Sequence, residues 1–214
     1  MGRRLDDSEF KLLNDAANDI ESIHRTAERY VNLRAMLAET SPTKENEFKK
    51  EFSRYYGLNA AGLKDEWKTV YFELLFSFRM GLPDDPHKVA LRKLYPIERR
   101  QGGKTLQFSF VSKLVSIHDE SQPLFDRYVN HYFGLGPPSL MRALPDPEFR
   151  ILGFLRNLAE IRGRYAAWSD DDRFVAILRD LRKKIPRLLD CHTVRICDFL
   201  VWAVGKKYNR KKAP

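Results

Sequence analysis

Apolar residues recur at steps of three and four through most of this 214-residue chain, and no stretch sustains the alternation that a strand requires. Residues 107–111, Gln-Phe-Ser-Phe-Val, come nearest to alternating, but their flanks favour helix. The pattern predicts an all-α fold: one unit over residues 1–214, of about nine helices, with room for two lobes and a cleft between them.

Start and stop signals place the helices. Asp6, Asp7, Ser8 and Glu9 offer a capping start, and Phe10, Leu13, Ala17, Ile20, Ile23, Ala27, Tyr30 and Leu37 then carry one long amphipathic helix, or two in line. His24 beside that stripe reads as a core or boundary histidine, since no second metal ligand recurs at helical spacing. Ser41 and Pro42 start a helix that buries Phe48, Phe52, Tyr55 and Tyr56 and stops at Gly57. Asn59 is expected to cap a helix running to Met80, whose Trp67, Tyr71, Leu74, Leu75 and Phe78 place it centrally. Pro86 opens a short helix and Pro96 closes it. Residues 134–147, dense in glycine and proline, form the expected crossing between lobes. Arginine-covered helices then start near Asp146 and Asp171, and a last one runs from Thr193 to about Lys207. Its basic tail, residues 206–214, is expected to be disordered without a partner.

Charge is distributed unevenly along this frame. Thirty-eight Lys and Arg stand against 29 Asp and Glu, a net +9, and from Glu148 onward there are 16 basic side chains to 8 acidic ones. Such a field favours a polyanion, with nucleic acid, DNA first, ahead of an anionic membrane surface or an acidic protein partner. The candidate contacts are Arg179, Arg182, Lys183, Lys184, Lys206, Lys207, Arg210, Lys211 and Lys212. A solvated basic face with no partner is the plainest alternative. Cys191 and Cys197 are too few for a disulfide framework and stand at no metal spacing, so the sequence calls for no metal or cofactor. The first residues show no signal peptide and no run approaches the ~18 apolar residues of a membrane span, so a cytoplasmic protein is expected.

One stretch carries chemistry. Between Thr105 and Phe133, Leu106, Phe110, Leu114 and Ile117 keep helical spacing with Phe108, Val111 and Val115 widening the apolar surface, and Lys113 lies beside the stripe. An amine in such surroundings loses pKa by desolvation and becomes a competent nucleophile. A turn-forming run, residues 119–123, then leads to Asp126 at the start of the next helix. An aspartate there either caps the helix or points into a cleft as a catalytic carboxylate.

Lys113, the turn and the run Pro123-Leu124-Phe125-Asp126-Arg127-Tyr128-Val129 resemble the catalytic segment of the helix-hairpin-helix DNA glycosylase superfamily. Pro123, Asp126 and Val129 match that family's P-x-x-D-x-x-V pattern, and Lys113 matches the lysine of its lyase-competent members. Where the family has a glycine-rich hairpin, this chain has residues 107–111. The resemblance implies an all-α fold with a cleft between lobes, and base excision from DNA with the target base rotated out of the stack. It implies that Asp126 stabilises the cationic sugar, that Lys113 attacks the anomeric carbon, and that Phe108, Phe110 or Tyr128 stacks on the base. The rivals are a basic helical protein that binds nucleic acid without chemistry and a defence or phage-related protein that meets an acidic partner.

Overall fold

Capping residues read from the sequence fix most of the helix starts in the computed structural model, which describes residues 5–39, 41–135 and 146–210. Asp6 begins α1 (Asp7–Ala17): its carboxylate accepts from Ser8 N and Glu9 N at 3.0 and 2.9 Å, and Glu9 accepts from Asp6 N in return. The long N-terminal stripe divides at Asp19, which takes the Ser22 N–H and starts α2 (Ile20–Ala38). His24 on α2 is exposed, so it is neither a core nor a boundary residue. Ser41 caps α3 (Pro42–Tyr56), which Gly57 ends in the left-handed conformation at φ +72°.

The sequence reading errs at the next start. Asn59 lies inside a 3₁₀ turn (Leu58–Ala60), and α4 (Asp65–Ser77) begins only after Gly62, whose φ of +63° breaks the run. The acidic first turn, Asp65 and Glu66, favours that later start through the helix dipole. A second 3₁₀ turn (Phe78–Met80) follows, then α5 (Pro86–Leu94), α6 (Phe108–Ser116) and α7 (Arg127–Phe133). The C-terminal third holds α8 (Pro147–Ser169), α9 (Asp172–Lys184), a 3₁₀ turn (Pro186–Asp190) and α10 (Thr193–Arg210). Ten α-helices and no strand occur among the described residues, in keeping with the all-α fold of about nine helices expected, and the first stripe is two helices in line. The expected crossing falls largely on residues 136–145, outside the described residues.

Helix α10 is the hub. It packs on α1, α2, α7 and α8, and residues 195–201 are all buried. Helix α6 is buried at eight of its nine positions, and the Tyr71 hydroxyl of α4 donates to the Phe110 carbonyl at 2.9 Å. Trp67 of α4 meets the Phe110 ring of α6 edge-on at 6.0 Å. Helices α7 and α10 approach so closely at Gly205 that a Cβ there would stand 2.5 Å from the Tyr128 ring.

Residues 206–210 continue α10 rather than forming a disordered tail. Lys206 lies 3.7 Å from the Trp202 ring centre, and Lys207 Nζ donates to Asp15 O at 2.6 Å, in the last turn of α1 where a cation is favoured. Residues 211–214, with Lys211 and Lys212, and the Arg210 side chain lie outside the described set. No described helix is long and apolar enough to cross a membrane.

Burial also makes the fold sensitive to acid. His87 on α5 is 5% exposed with its ring 5.7 Å from Phe154, and burial, helped by the Arg162 charge, lowers its pKa to about 4; burial does the same to His118. Between about pH 4 and the usual histidine value of 6.5 the unfolded chain binds protons that the folded one refuses, so stability falls as pH drops through that window. The loss for His87 is about 3 kcal/mol. Urea unfolding midpoints for His87→Gln across this window are expected to vary less with pH than those of wild type.

Candidate active site

The site is assembled by a loop that local propensity alone would not hold in place. After α6, Asp119 accepts from Ser121 N, Ser121 Oγ and Gln122 Nε2 at 2.9, 2.6 and 2.8 Å, which closes the turn expected over residues 119–123. Two anchors then fix the chain behind it. Phe125 N donates to Ser112 Oγ at 3.0 Å, tying the loop to α6, and Leu124 N donates to the Asp198 carboxylate of α10 at 3.2 Å.

Asp198 belongs to a buried network. It accepts from Arg195 Nη1 at 2.8 Å and from the Tyr165 hydroxyl at 2.9 Å, while Arg195 Nη2 donates to Gln122 O at 3.1 Å and lies under Tyr30 at 5.1 Å. Both members of the ion pair are fully buried. Burial pushes the Asp198 carboxyl up to about 6, against the opposing pull of Arg195, Tyr165 and the Leu124 N–H.

Held in this way, Asp126 is the N-cap of α7, its Oδ1 accepting from Tyr128 N and Val129 N at 2.9 and 3.1 Å. It also lines a cleft, so serving as the cap does not keep the residue away from one. Lys113 lines the same cleft: the two share a narrow hollow of about 60 Å³ with Tyr55, Tyr56, Leu124 and Trp202 and a wider cavity of about 420 Å³ with Phe108, Ser109, Phe125, Tyr128 and Asn130. Lys113 is 8% exposed, and Nζ donates to Ser109 Oγ at 2.9 Å above the rings of Phe110 and Tyr56, at 5.2 and 5.5 Å. Burial lowers its pKa and the Asp126 charge partly offsets this, so neutral amine is more available than on an exposed lysine.

Of the three aromatic residues proposed to stack on a base, Phe108 and Tyr128 line the wider cavity. Phe110 does not; its side chain is turned into the core against Trp67. Phe108 is itself stacked on Phe154 at 4.8 Å, and Tyr128 stands edge-on to Trp202 at 5.8 Å.

The basic residues separate into two groups. Arg179, Arg182 and Lys183 border an open depression with Val175, Leu178 and Leu189, and Lys184 borders another beside α1; neither shares a lining residue with the cleft. Lys206 and Lys207 instead line a hollow of about 290 Å³ with Arg25, Arg29, Tyr55 and Trp202, the last two of which also line the narrow part of the Lys113 cleft. Sequence reasoning missed Arg25 and Arg29, since both sit on the polar face of α2 with nothing to distinguish them. It missed the Arg195–Asp198 pair too, although two opposite charges three apart inside an apolar run carry a readable signal. Cys191 and Cys197 are buried free thiols; burial pushes Cys191 up to about 12 and raises Cys197 as well, which leaves both inert. Among the described residues no group of His, Cys, Asp and Glu is placed to hold a metal ion.

The chain matches no protein-family model, and comparisons with curated proteins and with solved structures found no match.

The capping role of Asp126 can be isolated by substitution. Asn caps as well as Asp, so Asp126→Asn is expected to keep wild-type stability, whereas Asp126→Ala costs about 1 kcal/mol in urea unfolding. Asp198→Ala strands Arg195 without its partner and is expected to cost about 3–5 kcal/mol. Faster amide exchange at Leu124 would show that the loop is released.

Proposed function

We propose that the Lys113–Asp126 cleft is a base-excision site acting on DNA. The observation that carries this reading is the shared cleft itself: one desolvated amine and one carboxylate line a cavity of about 420 Å³, of a size to take a small planar group. The resemblance over residues 113–129 agrees with it, and Arg25, Arg29 and Lys206 line, together with Asp19 and Glu21, the hollow that adjoins the cleft at Tyr55 and Trp202, on which a phosphate could rest in this reading.

In this reading the target nucleotide leaves the stack and its base enters the cavity. The neutral Lys113 nitrogen bonds to the anomeric carbon as the glycosidic bond breaks, and that bond's electron pair leaves with the base, which takes up a proton. The new ammonium loses a proton, the nitrogen lone pair then forms the C=N bond as the C1′–O4′ bond breaks, and O4′ leaves with that pair and takes up a proton, so the opened sugar is held as an iminium on Lys113. Asp126 stabilises the positive charge that develops on the sugar, a contribution made mainly in the transition state.

Borohydride reduces such an iminium to a stable amine. Wild-type protein incubated with DNA carrying an abasic site is expected to give a covalent adduct, and Lys113→Gln to give none while keeping the fold by circular dichroism. Asp126→Asn is expected to slow base release on the order of 10²-fold with binding retained. Exposed amines such as Lys207 also trap at abasic sites, so an adduct that persists in Lys113→Gln would sink the proposal. Failure of DNA-bound wild type to trap at all would do the same.

A second reading is favoured by the separation of the α9 cations from the cleft. On this view Arg179, Arg182 and Lys183, beside the exposed Leu189 and Val175, bind a polyanion or an acidic protein without chemistry. Arg179→Glu with Lys183→Glu is expected to weaken duplex binding and to reduce the log–log salt slope by about two units. An unchanged slope would remove α9 from the interface.

A further inference from the structure

Helix α6 carries three serines, and one of them is not spent on the fold. Ser112 and Ser116 are fully enclosed, and their hydroxyls donate to main-chain carbonyls, Ser112 Oγ to Ser109 O at 3.0 Å and Ser116 Oγ to Lys113 O at 3.2 Å. Ser109 lies in the first turn, is only half-buried, and lines the cavity of about 420 Å³. Among the described residues its hydroxyl has one partner, Lys113 Nζ at 2.9 Å, a contact that the four-residue spacing on one helix face permits. Lys113 in turn has Ser109 Oγ as its single hydrogen-bond partner among the described residues, with the rings of Phe110 and Tyr56 beneath it at 5.2 and 5.5 Å. An ammonium carries three donors, and one hydroxyl satisfies only one of them. Desolvation favours the neutral amine here, against the opposing charge of Asp126, and a neutral amine has a lone pair that accepts the Ser109 proton across the same 2.9 Å.

A hydroxyl within reach of an unprotonated base is the arrangement of an activated nucleophile. The amino end of α6 opens on the same cavity, since Leu106, Gln107 and Phe108 also line it. The Gln107 side chain caps nothing, and the Ser109 N–H has no acceptor among the described residues, so a main-chain donor at the positive end of the helix stands beside the Oγ of its own residue. Tyr128 and Trp202, both half-buried, add flat apolar surface to the wall. We propose that Ser109 and Lys113 are a catalytic dyad for acyl transfer, with Ser109 Oγ the nucleophile and Lys113 Nζ the general base, acting on a small carboxylic ester that carries an apolar or aromatic group. Ser109 Oγ bonds to the carbonyl carbon as its proton passes to Nζ, and the carbonyl pair moves to the oxygen beside the Ser109 N–H. Return of that pair expels the alkoxide, which takes the proton from Nζ and leaves as the alcohol. Water then adds to the acyl-serine by the same path, its proton going to Nζ and from there to Oγ, so that one ester and one water become one acid and one alcohol. The activity goes beyond base excision: it turns the Lys113 lone pair on a proton and not on carbon, and it needs no nucleic acid.

An alkyl fluorophosphonate, whose phosphorus is captured by an activated serine with loss of fluoride, tests the assignment on the full-length protein. Peptide mapping of wild type by mass spectrometry is expected to place one phosphonyl group on Ser109, and p-nitrophenyl butyrate is expected to be hydrolysed above the uncatalysed rate. Ser109→Ala should bring hydrolysis down to that background, and Lys113→Gln should slow labelling on the order of 10²-fold while keeping the fold by circular dichroism. The labelling rate of wild type should rise with pH and level off below the 10.5 of an ordinary lysine, since the base is the neutral amine. A label absent from Ser109, a label formed as fast in Lys113→Gln, or hydrolysis undiminished in Ser109→Ala overturns the dyad. Mapping and pH profile are both read on wild type, so they hold whether or not Lys113→Gln folds. The ester contains no DNA and the abasic-site trap no acyl group: a trap without a Ser109 label removes the dyad alone, and a label without a trap removes base excision alone.

Discussion

The buried pair of Arg195 and Asp198 decides where everything around the cleft can be. Two charges taken wholly out of water cost several kcal/mol each unless their donors and acceptors are met, and here backbone from the loop that precedes α7 meets several of them, while Arg195 Nε stays without a partner. Asp198 takes the Leu124 N–H and Arg195 reaches the Gln122 carbonyl, so the cost of burying the pair is offset by fixing the same few residues that set Asp126 opposite Lys113. A loop of this length held only by its own turn hydrogen bonds would open readily. Tied to α6 and to the central helix, the loop is held by hydrogen bonds from two elements far from it in sequence.

The frame was largely legible in the residues. Amphipathic spacing gave the helices, and the starts at Asp6, Ser41, Asp146 and Asp171 follow from side chains that satisfy free N–H groups within two or three positions. The misplaced start at Asn59 shows the limit of that logic: a capping residue type is common, and the left-handed Gly62 that delays the helix announces itself only as one more glycine. The basic tail departs from its composition only as far as Arg210, where the described helix ends. Its composition is that of a disordered segment, yet Lys206 and Lys207 find a ring and a helix end to rest on, contacts between residues far apart in sequence.

Within the site, legibility followed the same division. The burial of Lys113 and the helix start at Asp126 are local properties, and periodicity places them. That they line one cavity depends on α10, which arrives more than sixty positions later and contributes Trp202, Phe199 and Asp198 to the narrow part of the cleft. Asn130 was unreadable, since a polar residue in a short helix is ordinarily solvent-facing and only the packed structure shows its amide enclosed and unpaired.

Gly205 gives this arrangement its dimensions. With no side chain between them, the backbone of α10 and the ring of Tyr128 rest directly against each other, and that ring is also part of the cavity wall. The width of the cavity on that side is therefore set by a main chain and not by a rotamer, and it cannot be tuned by repacking. A single methyl group added at this position would act as a shim, shifting α7 and every group it carries relative to Lys113 by a fraction of an ångström to an ångström, the scale on which a nucleophile gains or loses its line of attack.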